Sequence, residues 1–198
     1  MGWYLLLSLL PGAAPVITLA GPVTTGAKPE TGLRYWEWND QGVLFRLTQR
    51  LPDQTRAYLL ARGFDAGSAD LAATRCMFQS MFKNTRSRGA PAVSINLEDW
   101  RVHAAGTEKR KQLLTREHWK QVWTQRGVSG AAAIAFEWSL LPTRQEYAPG
   151  DYNWGMTSYG LPPGTRFDLD FSWQREGKLF RGRLDGVECP ADIHPEPQ

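Results

Sequence analysis

The chain has 198 residues, 42% of them apolar, which suits one well-filled core and makes a single domain the default. Its 23 Lys and Arg stand against 20 Asp and Glu, a net charge of +3, and the basic run Lys109-Arg110-Lys111 is too short to mark a nucleic-acid surface. Nine tryptophans mean that large rings supply much of the buried or ligand-facing area.

Residues 1–20 carry no charged side chain and include the apolar run Leu5, Leu6, Leu7, Leu9 and Leu10, after which the chain turns polar at Gly21-Pro22. This is the pattern of a signal peptide, with Thr18-Leu19-Ala20 as small residues near a cleavage point, although no Lys or Arg precedes the run. An uncleaved anchor is the alternative, but Pro11, Gly12 and Pro15 interrupt the segment before it could span a bilayer. No later run reaches the roughly 20 apolar residues a span needs, so no stable membrane insertion is expected once the signal is removed. Residues 21–32, rich in Thr, Gly and Pro, are expected to be a flexible linker.

The globular part is expected over 33–189. Leu33 to Asn39 and Val43 to Gln49 flank Asp40-Gln41-Gly42 as a β-hairpin, with Trp36 and Trp38 on one face of the first strand and Val43, Phe45 and Leu47 on one face of the second. Pro52 opens a helix that Gly63 ends. A second, longer helix is expected over Asp65 to Phe82, with Leu71, Thr74, Phe78, Met81 and Phe82 along one stripe, giving a helical insertion at about 52–83. Ala92 to Ala104 alternates as a strand with an irregularity near Glu98-Asp99. Thr115 caps a helix to Arg126, ended by Gly127, with Trp119 and Trp123 one turn apart. Ala132 to Leu141 alternates as a strand, with Ile134, Phe136, Trp138 and Leu140 on one face. Pro142 to Thr165 shows no periodicity. Phe167, Leu169, Phe171 and Trp173 form the inward face of the next strand, the turn 175–178 follows, and Leu179 to Val187 returns before a tail at 190–198. Together these predict a mainly β fold (all-β to α+β): an antiparallel immunoglobulin-like β-sandwich or barrel with a helical insertion.

The cysteines, Cys76 and Cys189, are an even number in a chain that reads as exported, and a disulfide between them would close a long loop. Cys76 as a buried thiol or a metal ligand, with Cys189 exposed near the tail, is the alternative. Copper is a second possibility: Met77 and Met81, four apart on the expected helix, with Met156, His103, His118 and His194, are soft or borderline ligands for Cu(I), although methionines beside Phe78 and Phe82 also suit a core. Zinc finds no paired ligand spacing around His118. Hydrolysis finds no GxSxG elbow; Asp168 and Asp170 share a strand face with Arg166, as solvated salt-linked residues do, and could act on envelope polymers only if two carboxylates faced each other across a cleft.

The remaining aromatics, Tyr147, Tyr152, Trp154 and Tyr159, stand with Asp151 and Asn153 in the loop of 147–159. Such a set stacks on sugar rings or anchors a protein partner, or else Trp154 and Met156 fold back to plug the sandwich. The expectation is therefore a periplasmic or secreted binding or accessory protein that presents this loop to an envelope protein or glycan and needs no cofactor, with copper handling and polymer hydrolysis as alternatives.

Overall fold

The computed structural model describes residues 23–193 and, for the backbone, 17–18. The segment 1–20, expected to be a signal peptide, and the end of the tail, His194 included, lie outside the described residues, apart from β1 (Ile17–Thr18), which pairs in parallel with the last strand. Every other strand pairing is antiparallel.

The 21–32 segment is not loose throughout. β2 (Val23–Ala27) is hydrogen-bonded along β3 (Arg34–Asp40), because β-branched Val23, Thr24 and Thr25 suit a strand and Gly26 leaves room for the Tyr35 ring. A Cβ at Gly26 would meet that ring at 2.8 Å. The hairpin to β4 (Val43–Gln49) is as expected. Gln41 and Gly42 both take positive φ, 52° and 76°, the two-residue turn whose twist matches the strands.

α1 (Pro52–Leu60) and α2 (Ala66–Ala73) follow, the latter capped by Asp65, whose Oδ1 accepts from the Ser68 N–H at 2.9 Å. The helix expected over Asp65 to Phe82 is corrected here. It stops at Ala73, Cys76 takes φ 52°, and β5 (Met77–Asn84) runs between β4 and β10 (Tyr152–Ser158). Sheet B is therefore five-stranded, in the order β10-β5-β4-β3-β2.

Sheet A has seven strands. β11 (Arg166–Arg175) lies between β12 (Lys178–Glu188) and a partner interrupted at its middle: β6 (Val93–Asn96), a 3-10 turn at Leu97–Asp99, then β7 (Arg101–Ala104). The irregularity expected near Glu98-Asp99 is this turn. β8 (Arg110–Lys111) pairs with β7, and β9 (Arg144–Tyr147) with β6.

A second correction concerns Ala132 to Leu141. It is not a strand but α4 (Gly130–Ser139), packed on α3 (Arg116–Gln125). The alanines at 131–133 favour a helix, and Ser129 Oγ caps it by accepting the Ala132 N–H at 3.3 Å. The helical insertion is accordingly two insertions, 52–73 and 116–139.

The two sheets pack face to face, so the fold is a mainly antiparallel β-sandwich with helices inserted. Phe171 of sheet A sits 4.9 Å from Phe45 and 5.5 Å from Trp38 of sheet B, centroid to centroid, and Trp100 closes the group, its Nε1 donating to Ser172 O at 3.0 Å. A second cluster lies between the outer face of sheet B and the helices, where Met77 and Met156 meet Leu59, Phe64, Trp119, Trp123 and Phe136.

The expected disulfide is present. Cys76 and Cys189 join the head of β5 to the segment after β12, bridging the two sheets across a sequence separation of 113. Closing so long a loop removes about 4–5 kcal/mol of conformational freedom from the unfolded chain. The double variant Cys76→Ser/Cys189→Ser is expected to lose stability of about that size in denaturant titration, and wild-type protein unfolded with reductant present should lose the same amount. A loss under about 1 kcal/mol would contradict this account of the bridge.

Candidate functional site: an exposed aromatic face on β10

The segment expected to be an aromatic loop is mostly strand: β9 ends at Tyr147, a turn spans 148–151, and β10 begins at Tyr152. Strand alternation then decides which aromatics can serve recognition. Tyr152 and Trp154 pair with Lys83 and Met81 of β5 and share the outer face, with relative exposures of 58% and 49%. Further along the same face, Met156 is 3% exposed, because the helices cover that end of the sheet. Trp154 is thus half exposed, and Met156 packs under the helices on the outer face of sheet B rather than into the sandwich between the sheets.

Tyr147 and Tyr159 are removed from the site by the structure. Both are fully buried in the sandwich, Tyr147 against Phe82 at 5.0 Å and Tyr159 between Phe78 and Phe167 at 5.5 and 4.8 Å. Burial pushes both phenols well above the usual tyrosine value; for Tyr159 it outweighs the hydrogen bond that Thr157 Oγ1 donates to its hydroxyl at 3.0 Å. Asp151 and Asn153 shape the strand entry. Asp151 Oδ2 accepts the Ala148 N–H at 3.1 Å, and Asn153 Nδ2 donates to Gln145 Oε1 at 2.8 Å, tying β10 to β9.

Around the two open rings the outer face is mixed. Arg46 Nε donates to Glu37 Oε2 at 2.6 Å while its guanidinium lies 5.4 Å from the centre of the Tyr35 ring. Gly155 makes the edge tight: a Cβ there would come within 2.2 Å of the Leu141 nitrogen, and that N–H bonds Met156 O at 2.9 Å. The chain leaving α4 is thereby held against β10. Two residues that sequence reasoning placed inside a strand, Ile134 and Trp138, are 56% and 77% exposed one turn apart on α4. Their four-residue offset in a segment of helix formers was the available signal.

The methionine and histidine set is only partly brought together. Strand pairing, rather than the expected helix, sets Met156 diagonally between Met77 and Met81, but Met77 and Met156 are buried in the helix-layer cluster. His103 lies on sheet A, its Nε2 2.6 Å from Asp170 Oδ2, and His118 stands on α3, where burial and then the Arg75 charge lower its pKa. Among the described residues no group of three or more His, Cys, Asp and Glu could hold a metal ion. Asp168 and Asp170 do not face each other across a cleft: Arg183 reaches Asp168 at 2.6 Å, Asp170 at 2.9 Å and Asp185 at 2.6 Å, a salt-linked strand face. Arg166 pairs instead with Glu188 at 3.4 Å.

Family models, curated proteins and solved structures were each compared with the chain, and none matches.

Two outcomes test this placement. Trp154→Ala should leave stability within about 1 kcal/mol of wild type, whereas Met156→Ala should cost about 2–5 kcal/mol, both read by denaturant unfolding. The buried phenols set the alkaline limit. A folded-state pKa raised above the unfolded value near 10 gives stability that is complete below about pH 10 and lost as pH rises beyond it. The unfolding free energy should therefore fall steadily as pH rises above about 10, and Tyr147→Phe/Tyr159→Phe should flatten the fall.

Proposed function

We propose that the chain is an exported binding module of the cell envelope, periplasmic or secreted, that takes a glycan on the Tyr152–Trp154 face of β10. The observation that carries this reading is the pair of half-exposed rings at alternate positions of one strand, which fixes both on the same side about 7 Å apart. Two aromatic planes at that spacing present the apolar face of successive sugar rings with a stacking surface, and Lys83, Glu37 and Arg46 on the same sheet face offer polar groups to hydroxyls. The rings are held by a paired strand rather than a mobile loop, so little ordering cost falls on binding.

Export is supported by the uncharged apolar start of the chain and by the disulfide, which persists in oxidising compartments. No helix among the described residues is long and apolar enough to cross a membrane.

The test is calorimetric titration with soluble oligosaccharides released from peptidoglycan and from outer polysaccharide. Wild type should bind one class saturably, and Trp154→Ala and Tyr152→Ala should each weaken it about ten-fold while keeping the melting temperature. Absence of binding to every oligosaccharide by folded wild type, or unchanged binding by both variants, would overturn the proposal.

A further inference from the structure

The outer face of sheet A carries a recess that the strand pairing itself creates. β11 pairs with β6 at Gln174 and Ser94 and next with β7 at Asp170 and Arg101, so residues 171–173 lie opposite the 3-10 turn at Leu97–Asp99 instead of a strand. The cleft there, about 590 Å³, falls within the range of volumes that hold small molecules. On its floor Ser172 is 7% exposed, and its Oγ, without a hydrogen-bond partner among the described residues, still opens on the cleft.

Four arginines line this cleft, and three of them keep donors to offer. Arg183 is engaged by Asp168, Asp170 and Asp185. Both oxygens of Asp170 are taken, by Arg183 and His103, as are both of Asp168, by Arg183 and the Gly186 N–H. Arg101 uses Nη1 on the carbonyls of Glu98 and Trp100, which leaves its Nε and Nη2 without a partner among the described residues. The exposed side chains of Arg110 and Arg181 have no partner there at all. Against these three guanidiniums stands one carboxylate that is not engaged, the exposed Asp99. With the aspartates around Arg183 included the face is close to neutral, so an anion would be held by direct guanidinium contacts and not drawn in by a long-range field. Several guanidinium forks suit an anion with several oxygens and more than one charge, which is phosphate chemistry.

The rest of the lining selects what carries the phosphate. Phe171 is 1% exposed and Gly182 has no side chain, so the cleft offers no apolar surface of any size. Past Asp99 and Ser172 it adjoins a second recess that bears Ser94, Asn96 and Gln145. β8 and β12 stand about 14 Å apart across β7 and β11, a span that Arg110 and Arg181 can bridge with an anion between them. We infer that this cleft binds a phosphate monoester of a sugar or other polyol, with its phosphate held by Arg101, Arg110 and Arg181 over the Ser172 hydroxyl and its own hydroxyls against Asp99. The site lies on the other sheet from the β10 face and does not depend on the glycan proposal.

The test is calorimetric titration of the whole protein, at constant ionic strength, with glucose 1-phosphate, glycerol 1-phosphate, inorganic phosphate and glucose. At least one ester should bind saturably at one site, with inorganic phosphate about ten-fold weaker and glucose weaker still. Tighter binding of the glucose ester would mark a sugar ligand, and of the glycerol ester a smaller polyol. Arg110→Gln and Arg181→Gln should each weaken the ester about ten-fold at an unchanged melting temperature, and Ser172→Ala by a smaller factor. Arg62→Gln, in the turn after α1 on the helix side of sheet B, controls for overall charge and should change nothing, as should Trp154→Ala. Neither ester binding, inorganic phosphate or glucose binding as tightly as the better ester, unimpaired binding by folded Arg110→Gln/Arg181→Gln, or equal weakening by Arg62→Gln would each overturn the inference.

Discussion

β5 must satisfy two cores at once. Its inner face, Phe78, Ser80, Phe82 and Asn84, is buried along its whole length, while its outer face is covered at Met77 and only partly covered at Gln79, Met81 and Lys83. The helices are long enough to cap only one end of sheet B, so the outer face divides into a covered half and a bare half. β10, the next strand, inherits the same division: Met156 is inside the second core and Trp154, two residues earlier, is outside it. The location of the aromatic face is thus a consequence of where the helix layer stops. The disulfide sits at the covered end, where Cys76 leaves α2 in a left-handed conformation uncommon for a residue with a Cβ and turns directly into β5. A bridge at that corner holds the junction of helix layer, sheet B and the end of β12 together.

The elements legible in the sequence were those whose pattern fits only one period. Trp36 and Trp38, or Phe167 to Trp173, alternate strictly over a short run bounded by turns, and they fold as read. The two misread segments share a cause. Phe78 and Phe82 are four apart, an offset that lies on one face of a helix and also on one face of a strand, so the stripe from Leu71 continued through the end of α2 without a visible break. In α4 the ambiguity ran the other way: Phe136 and Leu140 point into the helix-layer cluster while Ile134 and Trp138 point out, and the two sets interleave as a false alternation. Local composition, three consecutive alanines after Ser129, outweighed the apparent period. Of the candidate site, Tyr152 and Trp154 were recognisable as aromatics without a core role, but separating them from Tyr147 and Tyr159 required the register of β10 on β5, which no local pattern contains.

Charge on the two outer faces is arranged differently. On sheet A, Arg183 gathers three aspartates and His103 joins through Asp170, so acidic and basic groups of β7, β11 and β12 are linked to one another across the strands. Such solvated pairs contribute little stability individually, but they tie down the carboxylates that a hydrolytic role would need. On sheet B Arg46 and Glu37 pair with each other, while Lys83 stands on the same face as the open rings of Tyr152 and Trp154. A recognition face needs that combination, because rings supply contact area while the neighbouring polar groups orient what lies on them.

α4 ties the helix layer to the edge of sheet B. Phe136 and Ile134 line a groove against α3, and the chain that leaves the helix runs through Leu140 to Leu141, whose N–H is bonded to Met156 O on β10. Gly155 permits that approach, since any Cβ would collide with the Leu141 backbone. α4 buries Ala132 and Phe136 but exposes Ile134 and Trp138, so a narrow stripe, the Arg116 bond to Leu140 O and this strand-edge contact hold it to the molecule.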